Sequence, residues 1–168
     1  MTTSTTYLDL ENGVPTQQTA VISSAGVGDA NKIPRLDTTG KLAQNMMPTG
    51  IVADTKDFAT LETLGLGNIV NIDVTGVRKA DATAVNKFKG VGFVIAGFTH
   101  PTTATVYFEG VITGLTGLTI GAEYYLSESA GAVTAVAPST SGAIVQRIGV
   151  AISATELSFE PAQPIVLA

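Results

Sequence analysis

Residues 104–127, ATVYFEGVITGLTGLTIGAEYYLS, decide the fold class of this chain. In the first half of this stretch apolar and polar side chains alternate, so that Val106, Phe108 and Ile112 share one face. A period of two is typical of a strand with one buried face. β-branched and aromatic residues, with recurring glycines, disfavour a helix. The stretch therefore predicts a β-hairpin whose returning strand begins at residue 123.

Similar strand patterns occur on both sides of this stretch. The expected strands cover residues 56–64, 68–74, 77–80, 88–98, 132–137, 143–153 and 157–159, with at best an edge strand at 165–167 because prolines flank it. In the strand at 143–153, Ile144, Gln146, Ile148, Val150 and Ile152 should face inward, and Gln146 then needs a polar partner or water. Short strands separated by turn signals predict an all-β barrel or sandwich.

Two regions are expected from the pattern. Residues 52–168 should form the β-barrel or sandwich domain, and residues 1–51 an extended N-terminal arm with a short hairpin-like segment. Residues 1–28 are rich in threonine, serine and glycine, and 19–23 is the only strand candidate there. We interpret 1–28 as an arm that becomes ordered on a partner, with a disordered terminus as the alternative.

The second part of the arm is more apolar. A turn signal at residues 37–40, Asp-Thr-Thr-Gly, separates segments 32–36 and 41–47. These segments should pack on the body, on a neighbouring subunit or on a larger surface, and methionine is common at adaptable contacts. The candidate partner-contact residues are Ile33, Leu36, Leu42, Met46 and Met47.

Composition disfavours several functions. The chain of 168 residues has no cysteine and one histidine, so disulfides, thiolate metal sites and most acid–base constellations lose their usual groups. A net charge of −5 disfavours nucleic-acid binding. There is no apolar run long enough for a bilayer and no visible secretory signal, so the expectation is synthesis in a cytoplasm without membrane partners.

The remaining chemical motifs are weak. The glycines at 90–97 and 114–121 lack the following helix or the Lys-Ser/Thr of nucleotide-binding loops. Glu156 and Glu160 fall on an outward face, unlike a glycosidase pair. Ser127 and Ser141 lack a flanking base, and His100 reads as a surface residue. We therefore expect no catalytic residue, no cofactor and no metal site.

Several segments resemble structural proteins of tailed bacteriophages. They are DANKIPRLDTTGKLAQNMMPTGI at 29–51, GVRKADAT at 76–83, residues 104–127, AGAVTAVAP at 130–138 and AIVQRIGVAISATELSFEP at 143–161. The first resembles a segment of head- and tail-associated particle proteins, and the later ones resemble the small β domain of capsid decoration (cement) proteins. The resemblance implies a β-tulip-like body with an N-terminal arm, no catalysis, and a homotrimer that stabilises the outside of the virion by bridging major capsid protein subunits.

Two other functions stay open at this stage. A tail fibre or baseplate component would present loops such as 113–121 or 138–142 to a host receptor. A carbohydrate-binding module or enzyme acting alone would need exposed aromatics, for which Tyr7, Tyr107, Tyr124 and Tyr125 are the candidates. Tyr107 and Tyr124 are expected to be cross-strand neighbours in the predicted hairpin.

Overall fold

The computed structural model describes residues 5–47 and 53–168, and within these ranges the regular structure is fourteen strands and three short 3-10 turns, with no α-helix. The all-β class is therefore confirmed. The chain divides into two compact units, which we call unit 1, Met1–Val52, and unit 2, Ala53–Ala168.

Unit 1 begins with a β-hairpin. Strand β1 (Thr6–Glu11) pairs antiparallel with β2 (Val14–Thr19). The two residues between them, Asn12 and Gly13, both have positive φ, 54° and 79°. Such a pair forms the type I′ turn that matches the twist of two paired strands. The expectation that 19–23 is the only strand candidate in residues 1–28 is therefore wrong, because the strands lie at 6–11 and 14–19.

The other described residues of unit 1, 20–47, form turns and irregular segments. Two 3-10 turns cover Val27–Asp29 and Gln44–Met46, and a single parallel bridge joins Val21 to Pro34. The turn expected at 37–40 is confirmed, since the Gly40 N–H donates to the Asp37 carbonyl over 3.1 Å. The segments beside that turn contain no strand, only the bridge at Pro34.

Unit 2 contains two five-stranded antiparallel sheets. The first is built from β3 (Thr55–Ala59), β4 (Ile69–Asp73), β5 (Gly76–Lys79), β6 (Gly92–Phe93) and β7 (Thr103–Tyr107), in the order β3-β7-β6-β4-β5. The strand expected over 88–98 is reduced to β6. The segment before β6 is a loop that contains a third 3-10 turn, Val85–Lys87, and Lys89 at a φ of 77°.

The second sheet follows in the chain. The strands are β8 (Val111–Ile112), β9 (Glu123–Leu126), β10 (Val133–Thr134), β11 (Ile144–Val145), β12 (Arg147–Ala151), β13 (Leu157–Phe159) and β14 (Ile165–Val166). Five of them form a sheet in the order β10-β9-β12-β13-β8, and β11 pairs with β14. None of the four sheets in the described ranges closes on itself.

The predicted hairpin at 104–127 is wrong. Strand β7 belongs to the first sheet and β8 to the second, and β9 pairs with β10 and β12. The chain leaves one sheet for the other at Gly110, whose φ of 115° suits glycine. Tyr107 consequently pairs with Phe93 and Tyr124 with Gly149, so the two tyrosines are not cross-strand neighbours.

A β-bulge changes the side-chain phase in β12. Arg147 pairs with Tyr125 and Gly149 with the preceding residue, Tyr124, so Ile148 is an extra residue in its strand. An extra residue reverses which side chains face inward beyond it. Ala151 is therefore buried and Ile152 exposed, opposite to the expected faces.

Gln146, expected to face inward, is buried and hydrogen-bonded. Its Oε1 accepts from the Gly90 N–H over 2.8 Å, and its Nε2 donates to the carbonyls of Gly90 and Ala162 over 3.0 and 3.1 Å. The side chain takes the place of a strand partner for Gly90. The expectation that Gln146 needs a partner is confirmed.

Two hydrophobic clusters form the core of unit 2. Ile69 and Phe93 belong to one cluster, while their chain neighbours Val70 and Val94 belong to the other. Because neighbours along a strand point to opposite faces, the first sheet is covered on both sides. The larger cluster also contains side chains of the second sheet and β11: Ile112, Tyr124, Leu126, Ile144, Ile148, Ala151, Leu157 and Phe159.

Candidate interaction surface

The hairpin of unit 1 carries both of its leucines on one exposed face. The β1–β2 register sets Leu8 opposite Gln17 and Leu10 opposite Pro15. We call the face formed by these residues with Thr6 and Thr19 the apolar hairpin face. Leu8 is 75% exposed and Leu10 70% exposed. No residue of this face is charged.

The opposite face of the hairpin is polar and turns toward its own unit. Tyr7 and Gln18 are half-buried there, and the Tyr7 hydroxyl accepts a hydrogen bond from the Ile33 N–H over 3.2 Å. A depression of about 280 Å³ lies between this face, which also bears Asp9 and Glu11, and residues 30–32. The hairpin therefore has the reverse of the usual arrangement, with polar groups inward and leucines outward.

Unit 1 has no hydrophobic core in its described part. None of residues 5–43 and 45–47 is buried, and both hydrophobic clusters consist of residues beyond 53. Polar contacts join the loops instead: the Asn45 side chain donates to the Ser24 carbonyl over 2.7 Å, and Lys32 forms an ion pair with Asp29 at 2.8 Å. Because apolar burial is the main stabilising term in folding, this unit gains little of it by itself.

Two aspartates stabilise turns in unit 1. The Asp37 carboxylate accepts hydrogen bonds from the backbone N–H of Lys41 and from the hydroxyl and N–H of Thr39, which lower its pKa below the usual value. The pKa of Asp29 is also lowered, first by its hydrogen bond from Lys32 and then by the Ala25 N–H. Hydrogen bonds to a carboxylate favour its charged form. Both turns are thus best formed with the carboxylates ionised.

The five predicted contact residues all lie in unit 1. Ile33, Leu36, Leu42 and Met47 are between 38% and 53% exposed, and Met46 is half-buried beside a depression of about 280 Å³. Their role in binding a partner stays a prediction. Leu8 and Leu10 were missed, although Asn12-Gly13 between alternating residues is the strongest short hairpin signal and would have indicated them.

Unit 2 has an uncharged groove between three loops. Its volume is about 480 Å³, and its walls are residues 66–68, 114–118 and 131–135, with Tyr124 also lining it. Leu66 is exposed at its edge, and the Tyr124 hydroxyl accepts from the Thr119 N–H over 3.0 Å. The predicted receptor loop at 113–121 thus forms one wall. Pro138 and Ser139 line a separate depression of about 260 Å³.

The charged groups on the outer face of the second sheet form a network. The Arg147 guanidinium lies 3.0 Å from both Glu123 and Glu160. The Tyr125 hydroxyl donates to Glu123 over 3.1 Å, and this hydrogen bond and the negative charge raise the pKa of Tyr125. Glu160 thus has a cationic partner on an exposed surface. This arrangement is an ion-pair network at the protein surface.

The single histidine and the serine considered as a nucleophile each make only local hydrogen bonds. The His100 ring lies 2.7 Å from the Thr60 carbonyl, and Ser127 accepts from the Ser129 N–H. In residues 5–47 and 53–168, no three carboxylate or imidazole side chains are grouped so that they could hold a metal ion. In the same ranges, no helix has the length and apolar character needed to cross a bilayer.

The four tyrosines do not form an exposed stacking surface. Tyr124 is buried, and Tyr7, Tyr107 and Tyr125 are half-buried. Tyr107 stacks on Phe93 with ring centroids 5.7 Å apart. Stacking on a sugar or base requires an accessible ring face, and at least Tyr107 and Tyr124 use their rings in the core.

Comparison with known proteins gives no assignment. No protein-family model matches the chain, and no curated protein matches it.

Proposed function

We propose that the protein is a structural component of a tailed-bacteriophage particle, a head decoration protein that binds the outside of the capsid as a homotrimer and stabilises it by bridging major capsid protein subunits. In this proposal it acts through contacts and without catalysis. Unit 2 is the body, with a β-tulip-like arrangement of its sheets, and unit 1 makes the contacts.

The coreless unit 1 is the observation that carries the proposal. None of its residues 5–43 and 45–47 is buried, and exposed leucine, isoleucine and methionine are among them. Exposed apolar side chains in a unit without a hydrophobic core suit a surface that a partner covers. A unit whose apolar groups are covered only in an assembly is suited to a protein added to a preformed shell.

The first of the segments that resemble phage particle proteins lies in this unit. Residues 29–47 hold the Asp37 turn, the Asp29–Lys32 ion pair and the five predicted contact residues. The turn fixes the backbone between Leu36 and Leu42, so the two leucines are presented by an ordered loop. Ordering before binding lowers the entropic cost of a contact.

Cosedimentation with empty capsids tests the proposal. Leu36→Asp with Leu42→Asp should reduce binding by at least about tenfold, because each places a charge in an apolar contact. Val74→Asp with Val85→Asp is the matched control, since it adds the same two charges at exposed valines of unit 2, outside the proposed contact region. Deletion of residues 2–28 should also weaken attachment. If the wild-type protein does not cosediment with capsids, the proposal is contradicted.

A tail location is the second candidate, and the groove in unit 2 favours it. Glycine-rich loops around an uncharged groove of about 480 Å³ could present a site to a receptor. Cryo-EM of intact particles distinguishes the two by position and copy number. Density for unit 2 at the tail tip, with no density on the head, would replace the decoration function by this one.

A further inference from the structure

We propose that the apolar hairpin face is the contact between copies of this chain, and that hairpins from separate copies pack with their leucine faces together. The inference rests on the self-association in the proposed function and not on capsid binding. It assigns to Leu8 and Leu10 the role of joining subunits, separate from the predicted partner-contact residues further along unit 1.

The orientation of the hairpin supports a partner on this face. The polar face is held to its own unit by the hydrogen bond between Tyr7 and Ile33, so the hairpin cannot turn its leucines inward without breaking that contact. A two-stranded hairpin alone is marginally stable in water. Covering Leu8, Leu10 and Pro15 would supply the apolar burial that unit 1 lacks.

The distribution of charge favours the apolar hairpin face over the polar face for a contact between two copies. The chain carries a net charge of −5, so two copies repel each other over most of their surfaces. In a symmetric contact between identical subunits, the same surface of each copy is used, so any charge on that surface lies close to the same charge of the other copy. The polar hairpin face would bring Asp9 and Glu11 against their own copies, whereas the apolar face has no charge to repel.

The twelve strand residues of the hairpin make a small contact. Stable interfaces bury about 800 Å² on each partner, and smaller ones form weak or transient assemblies. We therefore expect self-association that depends on protein concentration, with the hairpin as its centre.

Cysteine cross-linking tests the geometry, because the natural chain has no cysteine to interfere. Leu8→Cys should form an interchain disulfide under mild oxidation at least about tenfold faster than Asp9→Cys, which places its thiol on the opposite face. Equal rates for the two variants would overturn the face-to-face contact.

The oligomeric mass tests the energetics. Light scattering after gel filtration should give a multiple of the chain mass for wild type, and Leu8→Glu or Gln17→Glu should shift it toward the monomer. Val27→Glu controls for added charge, and NMR shifts of unit 2 show whether each variant remains folded. A monomeric wild type, or a Leu8→Glu variant with unchanged mass, would overturn the inference.

Capsid cosedimentation of the same variants separates this inference from the proposed function. If wild type binds capsids but Leu8→Cys does not cross-link preferentially, the hairpin contact is wrong and the decoration function stands. If Leu8→Cys cross-links preferentially and wild type does not bind capsids, the contact between copies stands and the decoration function is wrong.

Discussion

Units 1 and 2 use the same antiparallel pairing with opposite results for their apolar side chains. In unit 2 alternation places Leu157 and Phe159 in a buried cluster, whereas in unit 1 it places Leu8 and Leu10 at the surface. Hydrogen-bonded strands therefore do not by themselves create a core. A second layer is needed to cover the apolar face, and the described part of unit 1 has none within the unit.

Because unit 2 has a core and the described part of unit 1 has none, we expect substitutions to lower stability more in unit 2 than in unit 1. The largest effect is expected at Gly149. A Cβ at this position would lie 1.8 Å from the Ser158 carbonyl oxygen in the paired strand. Gly149→Ala should destabilise unit 2 by at least about 4 kcal/mol or prevent its folding. Urea unfolding followed by circular dichroism measures the loss.

Gly97→Ala is the matched control in the same unit. Its nearest non-local atom would be 3.8 Å away, and its φ is not positive, so a change below about 0.5 kcal/mol is expected. Similar unfolding midpoints for the two variants would show that β12 and β13 can separate, against the close packing described for unit 2.

A smaller but still large effect is expected at Gln146. Gln146→Leu keeps the side chain similar in size but removes its amide, which leaves the Gly90 N–H without its acceptor in a buried position. We expect a loss of about 3 kcal/mol in the free energy of unfolding. Gln163→Leu, at an exposed position, should have almost no effect, and equal losses would contradict the role of the buried amide.

In unit 1 the corresponding effect is smaller and local. Gly13→Ala introduces a side chain at a φ of 79° in the hairpin turn and should cost about 1 kcal/mol. Amide exchange in β1 and β2 should accelerate about fivefold while unit 2 is unchanged. Gly28→Ala, with no atom near its Cβ and no positive φ, is the control. Faster exchange throughout unit 2 would mean that the units unfold together.

The smallest expected effect is a dependence of unit 1 on acid. Asp29 and Asp37 have pKa values below those of an unfolded chain, about 3.9, so they stabilise the fold above that pH. This contribution is lost as the pH falls through their folded pKa values. NMR signals of residues 25–41 should change as the pH falls below about 4, and Asp37→Asn should weaken the change at 37–41. Signals that stay fixed in the wild type would contradict it.

Local patterns predicted much of the secondary structure. The strands β3, β4, β5, β9 and β13, the turn at 37–40 and the inward Gln146 all follow from period-two alternation or turn residues. The Asn12-Gly13 turn belongs to the same class of signal and was overlooked among the threonines and serines of the first residues. These features depend on residues close together in the chain.

The candidate interaction surface of unit 1 was less predictable from the sequence. The five contact residues were predicted because they make their segment too apolar to stay free in solution, and the structure places four of them at the surface. Which face of the hairpin is exposed depends on the contact between Tyr7 and Ile33, which are 26 positions apart. No pattern within β1 contains that information.

The amino-acid sequence by itself determined that this protein is built from short strands and where several of them lie, because backbone sterics and alternation act over a few neighbouring residues. Only the tertiary structure decided that β7 and β8 separate into different sheets, that Ile148 reverses the phase of its strand, and that the leucines of the hairpin point outward. Strand partners and exposed faces are set by contacts between distant residues, and those contacts exist only in the folded chain.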